Sequence, residues 1–142
     1  MLRPRAKPTI ESAFRAVQSI HALFLFSIFL VLRAVEKVGQ REQRDVHTIW
    51  LAFIVLALAN IATNIFLRSK ILKPAVEILR AQPDDRIGLA RWRHANFALS
   101  SLSVSVMYFG FALKFLGGSP LQSFPFYLGA VVLMVIWWPR RP

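Results

Sequence analysis

The chain has 142 residues and no cysteine. That excludes disulfides, thiolate metal sites and cysteine nucleophiles, and it gives no information on redox compartment. A second absence is more telling. Four long apolar runs, at 16–35, 49–67, 96–116 and 121–138, contain no aspartate or glutamate. Glu11, Glu36, Glu42, Asp45, Glu77, Asp84 and Asp85 all fall outside them. Ionisable groups within a membrane are the usual mark of an ion path, a proton relay or a charged-ligand site, so the absence of carboxylates argues against those classes. Glycine is scarce, with 6 residues. Gly117–Gly118 before Ser119–Pro120 reads as a turn and not as a phosphate cradle. No nucleophile–base pair, metal-binding helix motif or glycine-rich phosphate loop is visible. The expectation is therefore a protein without catalytic residues, metal site or cofactor, and not an enzyme.

What is present is hydrophobicity in blocks. Apolar residues make up 56% of the chain and mean hydropathy is +0.48, against roughly 45–50% apolar content in soluble domains. Residues Ile49–Ala59 read IWLAFIVLALA, which lacks the polar positions a soluble amphipathic helix needs every three or four residues. Each run is close to the ~20 residues that carry a helix across a ~30 Å hydrocarbon layer. The fold class expected is all-α, an integral membrane bundle of four transmembrane helices in a single domain over 1–142. Two helix hairpins, about 12–67 and 85–138, are joined by an interfacial connector at about 68–84. The first run is too long for a signal-peptide core and no small-residue cleavage site follows it, so the first span is expected to be retained.

The net charge of +11 would suggest nucleic acid in a soluble protein. Here the basic residues flank the apolar runs, so no nucleic-acid partner is expected and the charges are read as topology and lipid contacts. The N-terminal flank (Arg3, Arg5, Lys7, Arg15), the central loop (Arg68 to Arg93) and the tail (Arg140, Arg141) carry most of them. With four spans these segments share one side, which predicts both termini in the cytoplasm of a cell whose inner (plasma) membrane holds the protein. Arg68, Lys70, Lys73, Arg91, Arg93, Arg140 and Arg141 are the candidate contacts to anionic headgroups. Trp50, Trp92 and Trp137–Trp138 lie at or near run ends, where amphipathic rings favour headgroup depth. Phe124, Phe126 and Tyr127 do the same at the start of the last run, with Pro125 suited to a first helical turn.

Within the connector, Ile71, Leu72, Ala75, Val76 and Leu79 share one helical face, and Lys73, Glu77 and Arg80 take the other. This predicts a short amphipathic helix on the cytoplasmic surface. Pro74 sits in its first turn, Pro83 ends it, and Asp84 or Asp85 caps the next helix near residue 85.

Polar residues inside the runs fall at helical spacing. Asn96, Ser100, Ser103, Met107 and Gly110 line one face of the third helix. Ala52, Ala59 and Thr63 line a face of the second, with Asn60 and Asn64 beside them. Small and hydroxylated residues let membrane helices approach closely and bond across the contact. Both sets are predicted helix-packing seams, with the amides bonded to another helix or its backbone. Of the histidines, His47 is in a loop, while His21 and His94 lie toward one leaflet on different helices. Such a pair is a candidate for haem ligation; a His21 bonded to a helix backbone or to an amide such as Gln18 is the simpler reading.

The stretch ARWRHANFALSSLSVSVMYFGFALKFLGG (90–118) and the ending FPFYLGAVVLMVIWWPRRP resemble uncharacterised small bacterial four-helix membrane proteins. These in turn resemble duplicated hairpins of the ATP synthase subunit c (proteolipid) type. The likeness covers mainly the second hairpin. In a proteolipid, a carboxylate in the middle of a helix carries the ion. Aligned on Gly110, that place falls near Ser103–Val104, where no carboxylate stands. The resemblance implies a shared hairpin architecture rather than ion translocation. Three functional readings follow. The first is a non-catalytic accessory or scaffold subunit of a membrane complex, or a homo-oligomer. The second is a transporter or channel component with a polar path through Asn60, Asn64, Asn96 and the Ser100–Ser105 cluster. The third is a haem-bearing redox subunit using His21 and His94.

Overall fold

The computed structural model describes residues 9–37 and 45–142, without the side chains of 36 and 37. Arg3, Arg5 and Lys7 of the charge analysis, and the acid Glu42, lie outside the described residues. Most of the described residues are helical and none is in a strand. Helix α1 spans Ile10–Lys37, α2 His47–Leu67, α3 Lys73–Ala81, α4 Arg86–Phe115 and α5 Pro120–Ile136. A π-helical segment, Arg68–Leu72, joins α2 to α3, so His47–Ala81 is one continuous rod. Three rods, Ile10–Val35, His47–Ala81 and Arg86–Phe115, are long and apolar enough to cross a membrane. The fourth, α5, has 17 residues. At a rise of ~1.5 Å per residue it is roughly 25 Å long, somewhat under the ~30 Å of a hydrocarbon core.

Helix boundaries follow local chemistry. Thr9 Oγ1 accepts from Ser12 N at 3.2 Å to open α1. Asp85 caps α4, accepting from Gly88 N at 2.6 Å, as its position after Pro83 predicts. At the other end of α4, Gly118 N donates to Leu113 O at 2.8 Å and Gly117 N to Lys114 O at 3.2 Å. This double bond is a Schellman closure, and it needs Gly117 at φ 95°, a conformation that side chains resist. Ser119 and Gln122 then form a reciprocal capping box at the start of α5.

One proline departs from expectation. Pro120, not Pro125, occupies the first turn of α5, because the Ser119 cap starts the helix one turn earlier; Pro125 is interior. Pro74 lies in the first turn of α3, as expected, but α3 follows α2 without a break. In an α-helical interior its ring would press on the carbonyl of Lys70. Instead Lys73 N donates to Arg68 O, five residues back, and this π turn carries the helix past the proline. The connector is thus an extension of α2, not a detached surface helix.

Helix α4 is the centre of the packing. It contacts α1, α2, α3 and α5, whereas α1 and α2 do not pack along each other. Half of its most apolar window is buried, against 11% for the α2 rod. The larger core gathers Ile28, Val104, Val106, Met107, Leu113, Phe126, Ala130 and Met134. A smaller core joins the first turns of α1 (Ala13, Phe14, Val17) to α3 (Ala75, Leu79) and to Leu89 and Trp92 of α4. The amphipathic face of α3 is therefore covered by protein, although Ile71 at its start stays exposed at 38%. The beginning of α1, α3, the beginning of α4 and the tail meet at one end. Arg141 bonds Glu11 at 3.1 Å there. At the opposite end Trp50 Nε1 donates to Gln122 O at 3.2 Å.

Gly110 sets how closely α4 and α5 approach. A Cβ there would lie 2.9 Å from Ser123 O and 3.1 Å from Phe126 Cβ. Gly110→Ala is therefore expected to cost about 1–3 kcal/mol through overpacking. Gly129→Ala, whose Cβ would meet nothing nearer than Val106 Cγ1 at 3.9 Å, is expected to be neutral or slightly stabilising. Thermal unfolding of the two variants in one detergent checks the contrast.

Candidate functional site

The polar residues of the runs separate into two groups. On α4, Asn96 Nδ2 donates to Trp92 O at 2.8 Å, Ser100 Oγ to Asn96 O at 2.9 Å, and Ser103 Oγ to Leu99 O at 2.7 Å. All three are buried, as are Met107 and Gly110 on the same face. Three of the four-residue steps thus return to the helix's own backbone, instead of bonding across the contact as the spacing suggests. On α2, Asn64 is fully buried and donates to Asn60 O and Asn60 Oδ1, both at 3.1 Å. Asn60 Nδ2 reaches Ser105 Oγ on α4 at 2.5 Å. Ala52, Ala59 and Thr63 are exposed, and Thr63 Oγ1 bonds Ala59 O on its own helix. The expected inward seam of α2 is therefore rotated outward; the side turned to the bundle carries Asn60 and Asn64 together with Phe53, which stacks on Phe109 of α4, and Ile61.

His21 makes the most connected side-chain link. It is fully buried. Nδ1 lies 2.8 Å from Ser100 Oγ of α4, and Nε2 lies 2.9 Å from Met134 O of α5. The α1 imidazole therefore joins two further helices. Met134 is in the last turn of α5, where backbone carbonyls lack helical donors. A carbonyl only accepts, so Nε2 carries the hydrogen. In the neutral ring, Nδ1 then shares the single Ser100 hydroxyl hydrogen with Asn96 O. In the imidazolium, Nδ1 donates to Ser100 Oγ and the hydroxyl turns to Asn96 O. Either state keeps the heavy atoms in place. Trp138 covers the ring edge-on, with centroids 5.0 Å apart.

This arrangement does not fit a haem. Both ring nitrogens of His21 are bonded, so ligation of iron would sacrifice the tie to α4 or α5. His94 is exposed and lines, with Arg93 and Ser100, a cavity of about 190 Å³, below the roughly 300–1,000 Å³ of ordinary ligand pockets.

The candidate headgroup contacts also divide. Arg68, Lys73, Arg140 and Arg141 line one cavity of about 300 Å³ at the end where the tail meets α3, together with Arg80. Arg93 belongs to the smaller cavity. Lys70 and Arg91 are exposed and line neither. Among the described residues no group of three or more His, Asp or Glu side chains is placed to hold a metal. Comparison with protein-family models, curated proteins and solved structures finds no match to this chain.

Residue types alone do not reveal the Met134 carbonyl, because any residue there would present one; its signal is its place in a last turn. Ser105 pairs with Asn60, and Ser123 bonds Ser119 O at 3.1 Å.

Removing the imidazole exposes the role of this link. His21→Leu leaves a buried carbonyl and a hydroxyl without their partner, and is expected to cost about 1–3 kcal/mol. Ser100→Ala should cost less in the His21→Leu background than in the wild type, since the two share one bond. Thermal melting of the four proteins of this cycle measures the coupling; strict additivity would contradict it.

Proposed function

We propose that the protein is a non-catalytic multi-pass membrane protein of a bacterial inner membrane that acts by assembly, as an accessory or scaffold subunit or as a homo-oligomer. The observation that carries this reading is the outward face of α2. Ala52, Ala59 and Thr63 are small, share a side of the least buried rod and face away from the bundle. Small residues in that position let a further membrane helix approach closely. On the same rod the surface is apolar to an extent that soluble proteins avoid: Val55 is 65% exposed, Leu58 61% and Ile65 56%. Burial in lipid accounts for such a surface. Two hairpins, 12–67 and 85–138, then thread the bilayer, with the basic connector and tail in the cytoplasm by the positive-inside bias. The transport reading has less support. Asn64, Asn96, Ser100 and Ser103 donate to backbone within their own helices, so they offer few free groups to a passing solute.

Three measurements test this. The chain should stay in the membrane fraction after alkaline carbonate washing. A C-terminal fluorescent-protein fusion should glow and a C-terminal alkaline phosphatase fusion should be inactive. In mild detergent, native mass spectrometry should show an oligomer or a bound partner that Ala59→Leu weakens. A strictly monomeric, partner-free particle overturns the assembly reading.

A further inference from the structure

The cavity beside α3 has an uneven charge balance. Arg68, Lys73, Arg80, Arg140 and Arg141 line it, with Glu77 as its acid. Arg141 is engaged elsewhere: it bonds Glu11 at 3.1 Å and lies over the Phe14 ring. Among the described residues, the other four cations form no ion pair with a carboxylate. Arg68 instead sits 4.6 Å above the Trp137 ring, an attraction that fixes its position but leaves its charge uncompensated. Four cations drawn from three segments around about 300 Å³ repel one another, and a compact anion relieves that repulsion.

The remaining walls show what kind of anion fits. Trp92, Trp137 and Trp138 line the same cavity, with Leu99 and Ile136. Ile136 is also 53% exposed on the apolar outside of the bundle. The cavity therefore has both cationic and apolar walls, and Ile136 belongs at once to it and to the exposed apolar surface. Trp137 adds an indole N–H that has no acceptor among the described residues.

We infer that this cavity holds the phosphate of an anionic phospholipid, with Arg68, Lys73, Arg80 and Arg140 around the phosphate oxygens and an acyl chain leaving over Ile136. Guanidinium and ammonium groups suit phosphate, and basic pockets between membrane helices are a known form of headgroup site. Glu77 excludes a second negative group from its side of the cavity, which favours a single phosphodiester. The site rests on the membrane reading above, and α3 is held in it by the π segment and by its packing on α4.

Detergent-purified protein is titrated with phosphatidylglycerol, phosphatidylcholine and inorganic phosphate, following thermal stability and lipid retention by native mass spectrometry. The wild type is expected to prefer phosphatidylglycerol by about tenfold or more, roughly the effect of one to two basic contacts, and to lose part of that preference at high salt. Arg68→Gln/Lys73→Gln should abolish the preference, while Arg86→Gln/Lys114→Gln, which removes the same charge elsewhere, should keep it. If the first double variant does not fold, Arg140→Gln in the tail beyond α5 should lower the preference by several-fold. Equal retention of the two lipids by the wild type, or equal loss in both double variants, overturns the site. Stabilisation by inorganic phosphate alone, lost in the same variant, keeps the phosphate chemistry and overturns the lipid as its source. A chain that resists carbonate washing yet shows no lipid preference overturns the site and leaves the membrane reading intact; a chain released by carbonate overturns both.

Discussion

The His21 imidazole fixes the relation of three helices. One nitrogen faces Ser100 of α4 and the other the Met134 carbonyl in the last turn of α5. Most other contacts in the bundle are dispersion between apolar side chains, which tolerate small rotations and slides. A ring bonded at both nitrogens to atoms on different helices does not. Its position also decides where the chain goes next, because Trp137, Trp138 and the tail follow within a few residues of Met134. Arg141 reaches Glu11 at the start of α1, so α1 is tied to the α5 end of the chain both through His21 and through the tail.

Around this link, α4 behaves as a post on which the others lean. Its Asn96, Ser100 and Ser103 side chains bond carbonyls one turn back. Such bonds satisfy polar groups where water is scarce, and they make the helix surface smoother for apolar neighbours. Gly110 completes the effect by allowing α5 to close in. The acid-free runs and the polar residues within them therefore have one explanation: polarity is retained where a helix can absorb it locally.

Features set by local chemistry were legible in the sequence. The rods and their approximate ends, the Asp85 cap, the Gly117–Gly118 turn and the shared face of Ala75 and Leu79 all follow from a few adjacent residues. Features that depend on rotation about a helix axis were not. Thr63 and Asn64 are neighbours in sequence, and only the partner helix decides which faces inward; Asn64, with its link through Asn60 to Ser105, takes that side. Pro125 looked like a helix start until Ser119, Pro120 and Gln122 supplied a better one. The basic residues were legible as flanks, but their convergence was not, because Arg140 of the tail is brought against Arg68 and Arg80 of the α2–α3 rod. His21 was read correctly as a group in need of a partner, while the partner itself was a backbone atom more than a hundred residues away.

The π turn at Arg68–Leu72 acts as a phase adjuster. Each residue of an α-helix advances the face by about 100°, so one residue absorbed in a wider turn re-aims everything beyond it by about that angle. Upstream of the turn the rod presents Leu58 and Ile65 outward; downstream it presents Ala75 and Leu79 to the bundle. The orientation of the apolar α2 and that of its basic extension are thereby set independently. A one-residue length change between 68 and 72 is the single edit that would turn one against the other while leaving every side chain in both untouched.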